Sequence, residues 1–196
     1  MKTTRLIIVA VGGQGNLLAS RILEEASLLA GVPVRLSEIH GMAQRGGVVE
    51  SSLVFGDAES TIISEGDADA LVGFEPSEIL RALNKCNPGS IVVTNLSSLP
   101  PFTVSIGRGI YPDLDMLQNA IRARVKQLIA FNAVALAGEA GNVMSVNMVL
   151  LGALLCTGIL PFSRENVVKA IETRTGMFAS SNIRAFELGL AAARDR

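Results

Sequence analysis

Apolar residues run without a break from Leu6 to Val11 ("LIIVAV"), and four of the six are β-branched. Such a run predicts a strand covered on both faces, as in a parallel sheet. The polar break "GGQG" at 12–15 follows. Leu17, Leu18, Ile22, Leu23, Ala26, Leu29 and Ala30 then recur at helical spacing, with Gly31 placed as the stop. "PVRLSE" at 33–38 resumes extended structure. The chain therefore opens as strand, glycine turn, helix and strand, for which a right-handed crossover is expected.

Further strands are predicted at 48–56 ("VVESSLVFG"), 68–76 ("ADALVGFEP"), 88–95 ("PGSIVVTN") and 126–133 ("KQLIAFNA"). A short helix is expected around 77–85, and "DLDMLQNAIRARV" reads as an amphipathic helix capped by Asp113. Adjacent prolines make "SSLPPFTVSIG" a loop leading to a brief edge strand. Only helices follow, at roughly 133–140, 144–158, 164–174 and 179–194. Residues 143–160 read "VMSVNMVLLGALLCTGIL", close to the ~18 apolar residues of a membrane span. Asn147 and two glycines interrupt it and no aromatic belt flanks it, so it reads as a buried helix. The basic start before Leu6 likewise reads as the approach to a strand, since "GGQG" ends the apolar run too early for a signal peptide. The predicted fold class is α/β: a Rossmann-like open, mostly parallel sheet with flanking helices over about 1–133, and a helical C-terminal portion over about 134–196. No linker or repeat divides residues 1–196, which are read as a single domain.

Composition narrows the partners. With 17 basic and 18 acidic residues the formal net charge is -1, and no run of like charge offers a field for nucleic acid. Aromatics are 4% of the chain, too few for a base-stacking surface. Two cysteines, Cys86 and Cys156, form no C-x-x-C pair and cannot supply the four thiolates an iron–sulfur cluster usually takes. Free thiols in a reducing cytoplasm fit best. One histidine and two distant cysteines give no metal site. A mean hydropathy of +0.43 implies a large core, or a broad interface that another chain covers.

Two stretches carry candidate chemistry. In "VGGQG", Gly12, Gly13, Gln14 and Gly15 stand where backbone N–H groups and a helix N-terminus meet an anion. The spacing is not that of the dinucleotide fingerprint and there is no P-loop lysine, so a tight turn with no ligand accounts for it equally. "SEIHGMAQRGG" at 37–47 follows the second strand, where open α/β sheets place ligands. Glu38, His40, Gln44 and Arg45 would share a crevice with the glycine turn. Glu38 is a loose match to the acidic residue that reads a ribose. Arg45 can bind a carboxylate or phosphate bidentately, and His40 could move a proton near neutral pH. A lone loop histidine is more often hydrogen-bonded structure, and Gly46–Gly47 equally suit a turn into the next strand. No G-x-S-x-G elbow and no thiol–histidine pair is present, and Asn142 is a good cap for the helix that follows.

Taken together, "VGGQG", "SEIHGMAQRGG", "EGDADALVGFEP", "YPD" and "AGNVMSVNMVLLGAL" resemble the gamma-type subunits of 2-oxoacid:ferredoxin oxidoreductases, and among them the small (beta) subunits of the indolepyruvate type. The likeness spans nearly the whole chain, with Ala10 standing where many relatives have glycine. It implies oxidative decarboxylation of an aryl 2-oxoacid with coenzyme A as co-substrate, giving an aryl-acetyl-CoA, carbon dioxide and reduced ferredoxin. It implies that thiamine diphosphate, magnesium and 4Fe-4S clusters belong to a large (alpha) subunit, so that this chain binds no cofactor alone and is inactive alone. It implies a hetero-oligomer, with a homodimer expected when isolated, and ferredoxin as the acceptor of the complex. The face offered to the large subunit would be Gly12–Gly15 with Glu38–Gly47. Arg45 would meet an anionic group of substrate or coenzyme A, with His40 and Gln44 as hydrogen-bonding neighbours and Gly41, Met42, Gly46 and Gly47 shaping the loop. The alternatives are a stand-alone nucleotide- or coenzyme-A-binding module, and a structural homo-oligomer built on the apolar C-terminal helices.

Overall fold

The apolar run near the N-terminus becomes β1 (Thr4–Val11), in which Leu6 to Ala10 are 0–1% exposed. In this computed structural model, which describes residues 3–41, 47–99, 104, 107 and 110–194, β1 lies inside a mixed sheet. The other strands are β2 (Val34–His40), β3 (Val48–Phe55), β4 (Ala68–Gly73), β5 (Cys86–Asn95) and β6 (Gln127–Phe131). Among the described residues their order is β2-β3-β1-β4-β5-β6. Strands β1, β4, β5 and β6 are successively parallel, while β3 runs antiparallel to both β1 and β2. The predicted mostly parallel sheet is thus present, with one departure. The first two strands do not neighbour each other; β3 lies between them. The stretch 41–47 is too short for the crossover of about a dozen residues that a parallel neighbour needs, so the chain turns back antiparallel.

Helices cover both faces. On one lie α1 (Asn16–Leu29), α4 (Ala133–Glu139), α5 (Val146–Cys156), α6 (Arg164–Thr175) and α7 (Ala179–Arg194). These bury Ile22, Leu23, Met148, Leu150, Ile171 and Phe186 against Leu6, Ile8, Leu53, Phe55 and Val72. On the other lie α2 (Pro76–Ala82) and α3 (Leu114–Arg122), where Ile79, Leu117 and Ile121 meet Ile7, Val9, Leu71 and Val92. This alternation along β1, even positions to one face and odd to the other, is why its sequence shows no polar residue.

The ends of these elements are set locally. Gly31 takes φ +69° and donates its N–H to Leu28 O, closing α1 as predicted. Asp113 caps α3 through the N–H groups of Asp115 and Met116, both at 3.0 Å. Asn142 caps a single 3-10 turn at 143–145 that leads into α5, which starts later than predicted. The apolar stretch around 146–156 is a helix buried from Asn147 to Leu154, and among the described residues no helix is long and apolar enough to cross a membrane. The predicted loop and edge strand at 97–107 lie largely outside the described residues.

Candidate functional site

The glycine turn stands at the carboxyl end of β1, between two parallel strands whose outgoing helices leave on opposite faces. Helix α1 follows β1 onto one face and α2 follows β4 onto the other. At such a switch of winding, open α/β sheets leave a crevice beyond their strands. Gly13 and Gly15 adopt φ +102° and +81°, which side chains with a Cβ rarely take. Gly15 is the N-cap of α1 and has no side chain to give, so no side-chain bond caps that end. No acidic residue occupies the first turn either. Neither a side-chain cap nor a first-turn acid among the described residues therefore offsets the partial positive charge of the helix N-terminus.

Gln14 is committed to the turn. Its Oε1 accepts from the Val11 N–H at 2.8 Å, and its Nε2 donates at 3.4 Å to the O of Phe74, the residue just after β4. Asn16 is 4% exposed; its Nδ2 donates to Val49 O at 3.4 Å, and its buried Oδ1 has no partner among the described residues. Asn147 on α5 donates to Gly15 O at 3.2 Å.

The second stretch meets this turn through its ends. Gly12 N–H donates to Gly47 O and Gly41 N–H donates to Val48 O, both at 2.8 Å. The two ends of the 41–47 stretch are thus joined to each other, and Gly47 is joined to the turn. Met42, Gln44, Arg45 and Gly46 lie outside the described residues. His40 is not a loop residue but the last residue of β2. Its Nε2 is 3.4 Å from Glu38 Oε2, and Glu38 Oε1 accepts from Ser20 on α1 at 3.0 Å. Glu38 is accordingly bonded to Ser20 and His40, on a strand that β3 separates from β1.

Among the described residues, two cavities border the turn and a further one adjoins them. One of about 990 Å³ lies on the β2 side, lined by Gly12, Gly13, Gly15, Asn16, Leu17, Arg21, His40, Gly41 and Arg174. A second, of about 450 Å³, continues over Leu18 and Arg174 to Asn142, Asn147 and Phe178. The third, of about 460 Å³, opens on the β5 side between Gly12–Gln14, Asn95, Ser97, Leu99 and Met144. Leu17, Leu99, Val143, Met144 and Phe178 on these rims are 48–69% exposed.

A buried polar frame fixes the β4–β5 side. Asn95 Nδ2 donates to Phe74 O at 3.3 Å and its Oδ1 accepts from Ala133 N–H at 3.0 Å. Glu75 is fully buried; it caps α2 through the N–H groups of Ser77 and Glu78 and also takes the hydroxyl of Tyr111. That hydrogen bond, with burial as the larger cause, raises the Tyr111 phenol above its ordinary range.

Of the residues singled out in the sequence, the structure brings Gly12, Gly13, Gly15, His40 and Gly41 to one cavity. Gln14 lines the cavity on the β5 side, and Gly47 is hydrogen-bonded to Gly12. Sequence reasoning missed Asn16, Arg21, Asn95 and Arg174. Arg21 and Arg174 read as surface charges on helices, and both carry glutamate partners, Glu24 and Glu25.

Residues 5–192 match the family model described as pyruvate ferredoxin/flavodoxin oxidoreductase. The chain belongs to this family. It is 41% identical to the indolepyruvate oxidoreductase subunit IorB of Pyrococcus horikoshii, over 100% of this chain and 98% of that one. It is 37% identical to the subunit of the same name from Methanothermobacter thermautotrophicus, over 97% of each. Among solved structures, the keto/oxoacid ferredoxin oxidoreductase gamma subunit of Geobacter sulfurreducens superposes with a TM-score of 0.71 at 24% identity, covering 98% of this chain and 99% of that one. This chain thus shares its overall fold with that gamma subunit.

Proposed function

We propose that this chain is the small subunit of an aryl 2-oxoacid:ferredoxin oxidoreductase of the indolepyruvate type. In that reaction the oxoacid loses carbon dioxide, its carbonyl carbon is oxidised to a thioester on coenzyme A, and the electrons pass to ferredoxin. The observation that carries this reading is full-length identity of 37–41% to subunits named for indolepyruvate oxidoreductase. A stand-alone binding module accounts for that less well.

Thiamine diphosphate, magnesium and the iron–sulfur clusters are assigned to the large subunit. The chain's own donors do not fit a cluster: Cys86 is buried at the start of β5 and Cys156 ends α5, and two thiols cannot replace four. Its contribution is a surface. The exposed apolar side chains on the rims of the three cavities suit burial against a partner, and the uncapped N-terminus of α1 at their centre suits an anionic group of coenzyme A or the oxoacid. The buried orphan oxygen of Asn16 beside it calls for a donor that the described residues do not supply. Arg45, which lies in sequence between Gly41 and Gly47, is assigned the bidentate contact to that anion. His40 and Gln44 are assigned hydrogen-bonding roles at its side.

Co-expression with the large subunit tests this directly. Aryl-pyruvate- and coenzyme-A-dependent dye reduction is expected from the two chains together and from neither alone. Full activity from the large chain alone would overturn the reading.

A further inference from the structure

We infer that Asn147 is a positioning residue for the glycine turn, holding the Gly15–Asn16 peptide so that its N–H faces the anion cavity. Asn147 is 3% exposed and sits in the first turn of α5, far from the turn in sequence. Its Nδ2 donates to Gly15 O at 3.2 Å, while the same oxygen accepts the Ala19 N–H at 3.1 Å. A trans peptide holds its carbonyl and its N–H on opposite sides. Two donors on Gly15 O therefore fix the Asn16 N–H pointing out of the helix end. The restraint matters because glycine barely resists rotation of its peptide, and Gly15 at φ +81° is flanked by a second positive-φ glycine at 13. A turned peptide would present a carbonyl to an anion instead of an N–H.

The pairing is mutual. A Cβ on Gly15 would lie 2.6 Å from Asn147 Nδ2, so the glycine is needed both for its backbone angle and for the amide that rests on it. Asn147 Oδ1 also accepts the Met148 N–H at 2.9 Å, which orients the side chain so that Nδ2 must face the turn. One side chain thus ties the N-terminus of α5 to that of α1. It contacts the turn from the α5 side, on the cavity of about 450 Å³, and need not touch the ligand itself.

This inference rests on the anion site proposed above, and the experiment separates the two. The complex with the large subunit is assayed with Asn147→Ala, with the similarly sized, uncharged Asn147→Leu and with Leu17→Glu, measuring kcat and KM for coenzyme A and for aryl-pyruvate. Leu17→Glu places a carboxylate in the first turn of α1, where it competes with an anion. The expected result is a KM rise of about fivefold or more for one of the two substrates in both Asn147 variants, exceeding any change in kcat, and a KM rise for the same substrate in Leu17→Glu. If Leu17→Glu raises KM while neither Asn147 variant does, the anion site stands and the role of Asn147 is overturned. If Leu17→Glu leaves both KM values unchanged, the anion site is overturned and this inference with it. Should Asn147→Ala fail to assemble, Asn147→Leu, which fills similar space without a charge and loses the donor, gives the decision.

Discussion

Gly152 on α5 and Gly189 on α7 each press against the backbone of the other's helix. A Cβ on Gly152 would overlap the Phe186 carbonyl, and one on Gly189 would overlap the Val149 carbonyl. Backbone cannot yield as a flexible side chain can, so the two helices would have to separate. Gly152→Ala and Gly189→Ala are each expected to cost about 3 kcal/mol or more, at the upper end of overpacking. Gly158→Ala, at φ +70° with open space around it, is expected to cost only about 1–2 kcal/mol from backbone strain. Urea midpoints of the three variants check the order.

Much of this was legible in the sequence for a simple reason. Strands covered on both faces leave uninterrupted apolar runs, as in β1, and caps such as Asp113 and Gly31 act within a few residues of themselves. Strand order was not legible, because nothing in "VVESSLVFG" says which neighbour it pairs with; the short 41–47 connection decides that. In the site, the glycine turn and the ends of the 37–47 loop were visible as composition. Asn147 and Asn95 were not, since each reaches its partner across a long sequence separation and resembles an ordinary cap until the fold is closed.

Tyr111 and Glu75 give a second prediction. The carboxylate is fully buried and the tyrosine hydroxyl is one of its donors. Tyr111→Phe keeps the ring and removes that donor, and a lost hydrogen bond to a buried charge is worth about 1.5–3 kcal/mol. Thermal unfolding of the small subunit should show the drop.

The two thiols should behave differently. Burial pushes the Cys86 thiol up to about 11 from an ordinary 9.0. The folded protein therefore holds this proton more tightly than the unfolded chain. The resulting stability is fully present below pH 9 and is lost as the pH rises towards 11. At pH 8 a thiol reagent is expected to label the partly exposed Cys156 in the native protein, and Cys86 only after denaturant is added. Equal, rapid labelling of both thiols in the native state would contradict this burial.

His40 tests how the site divides its labour. It ends β2, lines the cavity of about 990 Å³ and has Glu38 as its near neighbour. A histidine that serves as a wall should cost less than tenfold in kcat/KM when changed to alanine in the complex. A general acid–base role would cost about 10²–10⁴-fold. Steady-state rates of His40→Ala with the large subunit separate the two.

The central claim is that the carboxyl edge of the sheet is half a site, completed by another chain. Hydrogen exchange of the small subunit, alone and with the large subunit, tests it most directly. Protection is predicted in 12–20, 38–49 and 143–148, around the turn and its cavities. Protection confined to α2 and α3 on the opposite face, with the glycine turn exchanging as it does in the isolated chain, would contradict it.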